Sequence, residues 1–457
     1  MRRSISNCAW AVGILLSTSV LAQDVLTIEE AVTGAYSTFA PERVADLEWI
    51  PDSDTYSYRK GEGREALIVR GFTDDRPDEV LFDLEKIRDA FLNAGFVQPE
   101  EIPPFIWIDS ERVLFSFKGQ YWEYNTQWKV VAKRISCSRV VQNRELSPQH
   151  TNLAGTVGNR VYISDKSNDT IPITDPPEGI THGQAVSRWE FGIDKGLFWS
   201  PDGQKLAFYE KDERPVSEYA LMDYTTIPAQ EAPVRYPMAG QGSEIVKLKV
   251  FDLKKNQVIE LATEGEPDQY LTSITWALDG KSILVGHLDR SQNNFKLARY
   301  NVSTGELAQI LFEEKDDAYV EPEQGAYMLP GTKGEFLWFS ERDGYNHIYH
   351  YDKKGQLLGQ VTRGEHVIQR VLHYDEESQE LIVLGTGSPI ETVAYLVPLD
   401  GSSMTRITPE SGLHRVKVSD TGKYLIDAYS SMEIPRRTVI RDRSGKVVKT
   451  LLDAPDP

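Results

Sequence analysis

Residues 197–209 read LFWSPDGQKLAFY, and residues 274–288 read ITWALDGKSILVGHL. Each stretch consists of an aromatic and aliphatic run, a turn that contains Asp-Gly, and a second apolar run. Asp-Gly tolerates the positive φ angles that a tight turn between two strands requires. The two stretches therefore predict β-hairpins of one kind, whose apolar residues pack between neighbouring sheets.

The same hairpin recurs in weaker form along most of the chain, at a spacing of about 40–50 residues that is typical of four-stranded propeller blades. We therefore predict an all-β fold, an eight-bladed β-propeller of four-stranded antiparallel blades. The predicted blades are 43–85, 103–136, 148–186, 192–262, 270–311, 317–362, 366–408 and 412–452. The fourth is longer because it contains an insert at 213–244, whose prolines predict little regular structure. The alternatives are a β-sandwich and a pair of β domains.

The N-terminus has the pattern of a secretory signal peptide. Arg2 and Arg3 precede an apolar run at 8–22, which ends in Val-Leu-Ala. The run is shorter than the about 20 residues of a comfortable membrane span. We predict a signal peptide over 1–22, with export across the inner membrane to the periplasm or the exterior. An uncleaved anchor is the alternative, and no later stretch is apolar enough to span a membrane.

Two segments predict helices. Thr27 and Glu30 form a capping box at the start of 27–34. In 83–95, the apolar residues recur at helical spacing and Gly95 ends the pattern. The expected domains are therefore the signal peptide, a short helical N-terminal segment over 23–42, and a propeller over 43–457.

Charge and composition exclude several classes of partner and cofactor. The formal net charge of -19 over 457 residues describes a surface that repels nucleic acid and anionic lipid. Only Cys137 follows the predicted signal peptide, so no internal disulfide is expected. His347 and His350 are three apart on a predicted strand, so their side chains point to opposite faces. No zinc spacing or nucleotide-binding loop occurs, and we expect neither a metal nor a cofactor.

Several segments together resemble a known family. They are EFGIDKGLFWSPDGQKLAFY (190–209), RYPMAG (235–240), DAYVEP (317–322), FLWFSERDGYNHIYHYD (336–352) and TPESGLHRVKVS (408–419). In their order and spacing they resemble the N-terminal propeller of dipeptidyl peptidase IV and prolyl tripeptidyl peptidase-type serine exopeptidases, in the prolyl oligopeptidase superfamily. The resemblance implies an eight-bladed propeller that caps an α/β-hydrolase domain and admits small peptides while excluding folded proteins.

The resemblance also implies a substrate-binding role for Glu190. In the family, a pair of glutamates just before this turn binds the free N-terminal ammonium of the peptide, by a charge-assisted hydrogen bond. Here Trp189 replaces the first acid, which looks more like the tripeptidyl branch. The alternative is a solvated glutamate on a turn. The family also has a propeller arginine that contacts the substrate carbonyl, and Lys118 is the candidate by pattern.

No G-x-S-x-G nucleophile motif occurs in the sequence. The resemblance implies that the catalytic residues would follow 451–457, so we expect no catalytic residue and no peptidase activity in these residues alone. The α/β-hydrolase domain is then the expected partner, together with a peptide that has a free N-terminus, and a homodimer is possible for this family.

We expect the chain to gate and anchor substrates of an exopeptidase that releases dipeptides or tripeptides after Pro or Ala. A stand-alone periplasmic binding or scaffold propeller is the alternative. A propeller hydrolase such as a glycosidase would require paired carboxylates in the tunnel, and the sequence identifies no such pair.

Overall fold

The computed structural model of the protein describes residues 26–167, 170–263 and 265–456, so the predicted signal peptide lies outside the described residues. Both predicted helices are present, as α1 (Ile28–Thr33) and α2 (Leu84–Asn93). Thr27 caps α1 in the predicted capping box. In the described part of the chain, no helix is long and apolar enough to cross a membrane.

Most strands in the first two thirds of the chain belong to antiparallel sheets of four or five strands. Sheet 1 comprises Ala45–Trp49, Thr55–Lys60, Leu67–Phe72 and Glu79–Asp83. Sheet 2 comprises Phe105–Trp107, Arg112–Phe117, Gln120–Asn125 and Val130–Ile135. Sheet 3 comprises Gln142–Leu146, Leu153–Val157, Arg160–Ser164 and Ile171–Pro172. Sheet 4 comprises Ile180–His182, Leu197–Trp199, Lys205–Asp212, Ile245–Asp252 and Gln257–Glu260.

The same plan continues towards the C-terminus. Sheet 5 comprises Tyr270–Trp276, Ser282–Leu288, Asn294–Asn301 and Leu307–Lys315. Sheet 6 comprises Tyr327–Met328, Phe336–Ser340, His347–Tyr351 and Leu357–Gln360. Sheet 7 comprises Ile368–Asp375, Glu380–Ser388, Glu391–Pro398, Thr405–Arg406, Leu413–Val418, Tyr424–Ser430, Arg436–Asp442 and Val447–Ala454.

Sheet 7 has two halves that are joined by one parallel pairing, between Thr392 and Leu413. Every other pairing in this sheet is antiparallel. The first half (368–406) and the second half (413–454) therefore each repeat the four-stranded plan of the earlier sheets.

Both predicted boundaries of the third repeat are wrong. Sheet 3 begins at Gln142, before the predicted 148, and the strand Ile180–His182 belongs to sheet 4 instead of the third repeat. The strand Gln142–Leu146 has the sequence QNREL, which lacks the apolar alternation that indicates a strand. The strand Ile180–His182 has only three residues and gives no periodic signal.

Buried side chains pack between successive sheets. Phe82 of sheet 1, for example, packs against Phe115 and Tyr124 of sheet 2 with ring centroids 5.8 and 5.6 Å apart. One cluster of buried hydrophobic side chains contains both Ile440, in the second half of sheet 7, and Trp49, in sheet 1. Burying one such side chain contributes about 1.5–3 kcal/mol. The sheets therefore follow one another around a ring that is closed by apolar contact between its two ends.

Four tryptophans at the ends of first strands repeat one contact with the preceding sheet. The indole N–H of Trp49 donates to Lys417 O (2.9 Å), and that of Trp107 donates to Ser57 Oγ (2.8 Å). The indole N–H of Trp199 donates to Glu145 O (2.9 Å), and that of Trp276 donates to Phe198 O (3.0 Å). Three of these acceptors lie near the end of the preceding first strand. Neighbouring first strands therefore run side by side in one direction.

This common direction gives the ring two distinct faces. The connections between the second and third strands of each sheet emerge on one face, which we call the loop face. The Asp-Gly turns at 200–204 and 277–281 follow first strands, so they emerge on the opposite face, which we call the turn face.

Replacing the buried Trp276 by Phe should destabilise the ring, because it removes the donor to the Phe198 carbonyl while keeping an aromatic ring. We expect a cost of about 1–3 kcal/mol, measured as a lower midpoint of guanidinium unfolding. Trp128→Phe is the matched control, since Trp128 is 76% exposed and should change stability by about 0.5 kcal/mol or less. Equal effects of the two substitutions would contradict this role of the indole.

Candidate functional site

The first strand of sheet 4 is interrupted. Its two pieces, Ile180–His182 and Leu197–Trp199, both pair with the strand Lys205–Asp212. Between them, the Tyr209 carbonyl accepts from Gly183 N at 2.8 Å and the Tyr209 N–H donates to Gly196 O at 3.2 Å. Residues 183–196 therefore leave the strand and return to it as a loop, which we call the excursion. Glu190, the predicted substrate-binding residue, lies in this excursion.

Glycine is required where the excursion leaves and rejoins the strand. A Cβ atom on Gly196 would lie 2.2 Å from the carbonyl oxygen of Gln184, so the two ends of the excursion pass backbone against backbone. Such a close approach of two chain segments is possible only without a side chain.

The tip of the excursion has an unusual backbone. Ser187, Arg188 and Trp189 have φ angles of 53°, 54° and 68°, in the left-handed region that costs a non-glycine residue about 1–2 kcal/mol. This turn is closed by hydrogen bonds from Trp189 N to Val186 O and from Glu190 N to Ser187 O, both 3.1 Å long. Strain of this kind concentrates at functional sites and persists only where the surroundings impose it.

The insert between the second and third strands of sheet 4 imposes part of this conformation. Ser187 N donates to the buried carboxylate of Glu244 at 2.5 Å. The Arg188 guanidinium lies 4.2 Å from the ring centroid of Tyr236, in cation–π geometry. Tyr236 belongs to the RYPMAG segment, which therefore contacts the turn directly before the family-like segment 190–209.

The insert itself is mostly irregular, as its prolines predict, but it contains two short hairpins. Glu218–Tyr219 pairs with Val234–Arg235, and Met222–Asp223 pairs with Gln230–Glu231. The Arg235 guanidinium donates to Val216 O at 2.8 Å and fixes the base of the insert.

Sheet 5 and the segment before sheet 6 support the other side of the excursion. Phe191 is buried, with its ring 4.7 Å from that of Tyr270, and its carbonyl accepts from Thr272 Oγ1 at 2.6 Å. Gly192 has a φ of 69°, and a Cβ atom there would lie 2.0 Å from the carbonyl oxygen of Glu323. The excursion is therefore held by contacts with three separate parts of the chain.

Glu190 is fixed through its backbone while its carboxylate is left unpaired. Its carbonyl accepts from Ile193 N at 3.1 Å. Its side chain is exposed, and no residue in the described ranges forms a hydrogen bond or ion pair with it. The neighbouring Trp189 is 71% exposed. The arrangement exposes one carboxylate and one indole on a backbone of defined shape.

Lys118 does not join Glu190 in a common site. It lies at the tip of the hairpin between the second and third strands of sheet 2, with a φ of 52°. Its side chain is exposed, with Nζ 5.3 Å from the ring centroid of Phe117. It lies on the loop face, where the excursion contacts the insert, but no contact connects Lys118 with the excursion.

Sequence reasoning missed one cation beside the excursion. Arg290, in the turn between the second and third strands of sheet 5, donates a short hydrogen bond to the hydroxyl of Tyr270. Tyr270 packs on Phe191 of the excursion. Arg290 therefore contacts the excursion indirectly, through Tyr270. The only signal in the sequence is its position in a loop-face turn.

A charged network ties the strand beside the excursion to its sheet. Glu210 accepts from His182 at 2.8 Å and pairs with Lys249 at 2.6 Å. The hydrogen bond from His182 lowers the pKa of Glu210 to about 2, with a further contribution from Lys249 and against the opposing effect of burial. Glu210 is therefore ionised at neutral pH and anchors the last residue before the excursion.

The two histidines considered as a metal pair have separate partners. His347 contacts Thr362 Oγ1 at 3.1 Å and Gly364 O at 2.9 Å, whereas His350 contacts Glu335 at 2.9 Å. Across the described residues, no group of three or more His, Cys, Asp or Glu side chains is placed to hold a metal ion.

Comparisons with known proteins agree with the resemblance. The profile of the family described as the dipeptidyl peptidase IV (DPP IV) N-terminal region matches residues 107–436. The chain is 24% identical to dipeptidyl-aminopeptidase B of Aspergillus niger, covering 91% of this chain and 53% of that protein. It is 25% identical to a protein of the dipeptidyl-aminopeptidase B type from Emericella nidulans, covering 92% and 51%. The chain thus spans about half the length of these curated relatives.

Solved structures share the fold. A Bacteroides ovatus protein of the dipeptidyl aminopeptidase IV type superposes with a TM-score of 0.86 at 29% identity, covering 94% of this chain and 63% of that one. Porphyromonas gingivalis dipeptidyl peptidase 4 gives a TM-score of 0.75 at 22% identity, covering 94% and 62%. The second likeness concerns the fold alone.

Gly192→Ala should loosen the excursion, because the added methyl group would collide with the Glu323 carbonyl. We expect faster tryptic cleavage after the exposed Arg188, and an additional loss of stability beyond the about 1–2 kcal/mol that the positive φ alone costs. Gly95→Ala is the control: Gly95 also has a positive φ of 76° but open space around it. Unchanged cleavage after Arg188 in Gly192→Ala would show that this contact does not hold the excursion.

Proposed function

This chain belongs to the dipeptidyl peptidase IV N-terminal region family, and we propose that it selects peptide substrates for a secreted serine exopeptidase. The enzyme would release dipeptides or tripeptides after Pro or Ala, with catalysis supplied by an α/β-hydrolase domain. The family match and the names of the similar proteins support this assignment. In this proposal the chain excludes folded proteins and fixes the N-terminus of a peptide that enters.

The proposed architecture is an eight-bladed propeller. Sheets 1 to 6 supply one blade each, and the two halves of sheet 7 supply two. The single parallel pairing between Thr392 and Leu413 supports the division of sheet 7. The apolar contact of its second half with sheet 1 supports a closed ring over a β-sandwich, in which the first and last strands need no such contact.

The unpaired carboxylate of Glu190 is the observation that carries the proposal of N-terminus anchoring. A peptide ammonium would meet it in a charge-assisted hydrogen bond. An exposed ion pair contributes only about 1 kcal/mol or less. A hydrolase domain that covered the loop face would exclude water and strengthen the same contact. One carboxylate fixes where the amine lies, but not how far away the cleaved bond is, so the proposal includes both dipeptide and tripeptide release.

A stand-alone periplasmic binding propeller is the second candidate function. It is supported by the exposed, unpaired carboxylate of Glu190, which can bind an amine without a catalytic domain. In this candidate Glu190 still anchors the peptide, but no catalytic domain cleaves it.

Glu190→Gln should weaken binding of the tripeptide Val-Pro-Leu to this chain, because it removes the charge that meets the ammonium. We expect a loss of about twofold to fivefold at low ionic strength, measured by calorimetry. N-acetylation of the peptide should cause a similar loss in the unmodified chain and none in the variant.

Glu306→Gln is the matched control, since Glu306 is an exposed glutamate in a turn-face connection of sheet 5. If Glu190→Gln and Glu306→Gln bind the free-amine peptide equally well, Glu190 is not the anchor.

A further inference from the structure

A cavity on the loop face lies where the ring closes. It has a volume of about 530 Å³ and is bounded by residues 43–48 of the N-terminal part and by the second half of sheet 7. The residues that line it include the start of Leu413–Val418, the end of Tyr424–Ser430 and the start of Arg436–Asp442. All three of these strand ends are at the loop face. The volume is in the range of small-molecule sites in proteins.

Three arginines from separate parts of the chain line this cavity: Arg43, Arg415 and Arg436. Within the described ranges, none of them forms an ion pair with a carboxylate. Arg436 has one long hydrogen bond, to Pro41 O at 3.5 Å. Elsewhere in the structure, arginine side chains are commonly paired with Asp or Glu, as Arg443 is with two acidic residues.

The two carboxylates that line the cavity are already engaged. Asp46 pairs with Arg59 at 2.6 Å, and Glu48 pairs with Lys417. The three arginines therefore keep their full positive charge. Like charges repel one another, by about 1 kcal/mol at 4 Å in water, so a bound anion would stabilise the cavity.

This positive cavity is a local exception on a protein whose net charge is -19. The rest of its lining is largely apolar and includes Val44, Leu47, Leu413 and Ile426. A ligand with a carboxylate beside an apolar side chain matches both features. The planar guanidinium group binds a carboxylate through two parallel hydrogen bonds.

We propose that this cavity binds the C-terminal carboxylate of a short peptide. That the ligand is a peptide rests on the proposed function. In a ring of eight blades, the cavity lies opposite Glu190 on the same face. The ring then offers a negative site to the amine of a peptide and a positive site to its carboxylate, on opposite sides of the hollow. Such polarity would orient a short peptide before any chemistry occurs.

The test uses N-acetyl-Val-Pro-Leu as the free acid and as the C-terminal amide. Both probes lack a free amine, so their binding does not depend on Glu190. The unmodified chain should bind the acid about tenfold more tightly than the amide at low ionic strength. Arg415→Gln should weaken binding of the acid by about tenfold and leave the amide unchanged.

The matched control is Arg363→Gln. Arg363 lies in the connection between sheets 6 and 7, outside the cavity, and donates to Gly401 O at 3.1 Å. Its replacement should leave the binding of both probes unchanged. Arg43→Gln repeats the test if Arg415→Gln does not fold. A preference for the acid that is lost in Arg415→Gln supports the cavity even if Glu190→Gln has no effect on free-amine peptides.

Three outcomes would overturn the proposal. The first is that the unmodified chain binds the acid and the amide equally tightly, or binds neither. The second is an equal loss for both probes in Arg415→Gln. The third is inorganic phosphate that binds through Arg415 as tightly as the acid peptide, which would identify a site for small anions instead.

Discussion

The backbone of Tyr209 carries the constraint on which the candidate site depends. Its carbonyl and N–H would normally pair with a continuous neighbouring strand, but here they hold Gly183 and Gly196, the two ends of the excursion. The Tyr209 hydroxyl also donates to Leu271 O in the next sheet at 2.8 Å. One buried residue therefore fixes both the base of the loop and its position relative to sheet 5. The location of Glu190 follows from this arrangement.

The excursion combines local strain with support from distant segments. Its left-handed tip is unfavourable by itself, and the contacts that compensate for it come from the insert, sheet 5 and the segment before sheet 6. A loop held in this way presents its carboxylate without a further loss of backbone freedom on binding, which improves affinity for a small ligand. In the proposed ring of eight blades, the arginine cavity lies opposite the excursion and has the complementary charge, so the loop face would have one negative and one positive side.

The sequence predicts much of the fold because its signals are local. Asp-Gly turns between apolar runs indicate hairpins, and the capping box of Thr27 and Glu30 correctly indicates a helix. The polar strand Gln142–Leu146 has no such signal, because contacts with neighbouring strands determine its conformation. The site was predictable only in part: the resemblance selects Glu190 as a candidate, but no pattern shows the broken strand or its positive φ angles. Arg43 lies near the start of the described chain, whereas Arg415 and Arg436 lie near its end, so only the closure of the ring brings the three arginines together.

The central claim is that the interrupted strand presents Glu190 to the amino end of a peptide. A crystal structure of this chain with bound Val-Pro-Leu tests it most directly. The account predicts the peptide on the loop face, with its ammonium nitrogen about 2.7–2.9 Å from a carboxylate oxygen of Glu190. A peptide bound on the turn face, or one whose ammonium contacts other groups and leaves Glu190 in solvent, would contradict it.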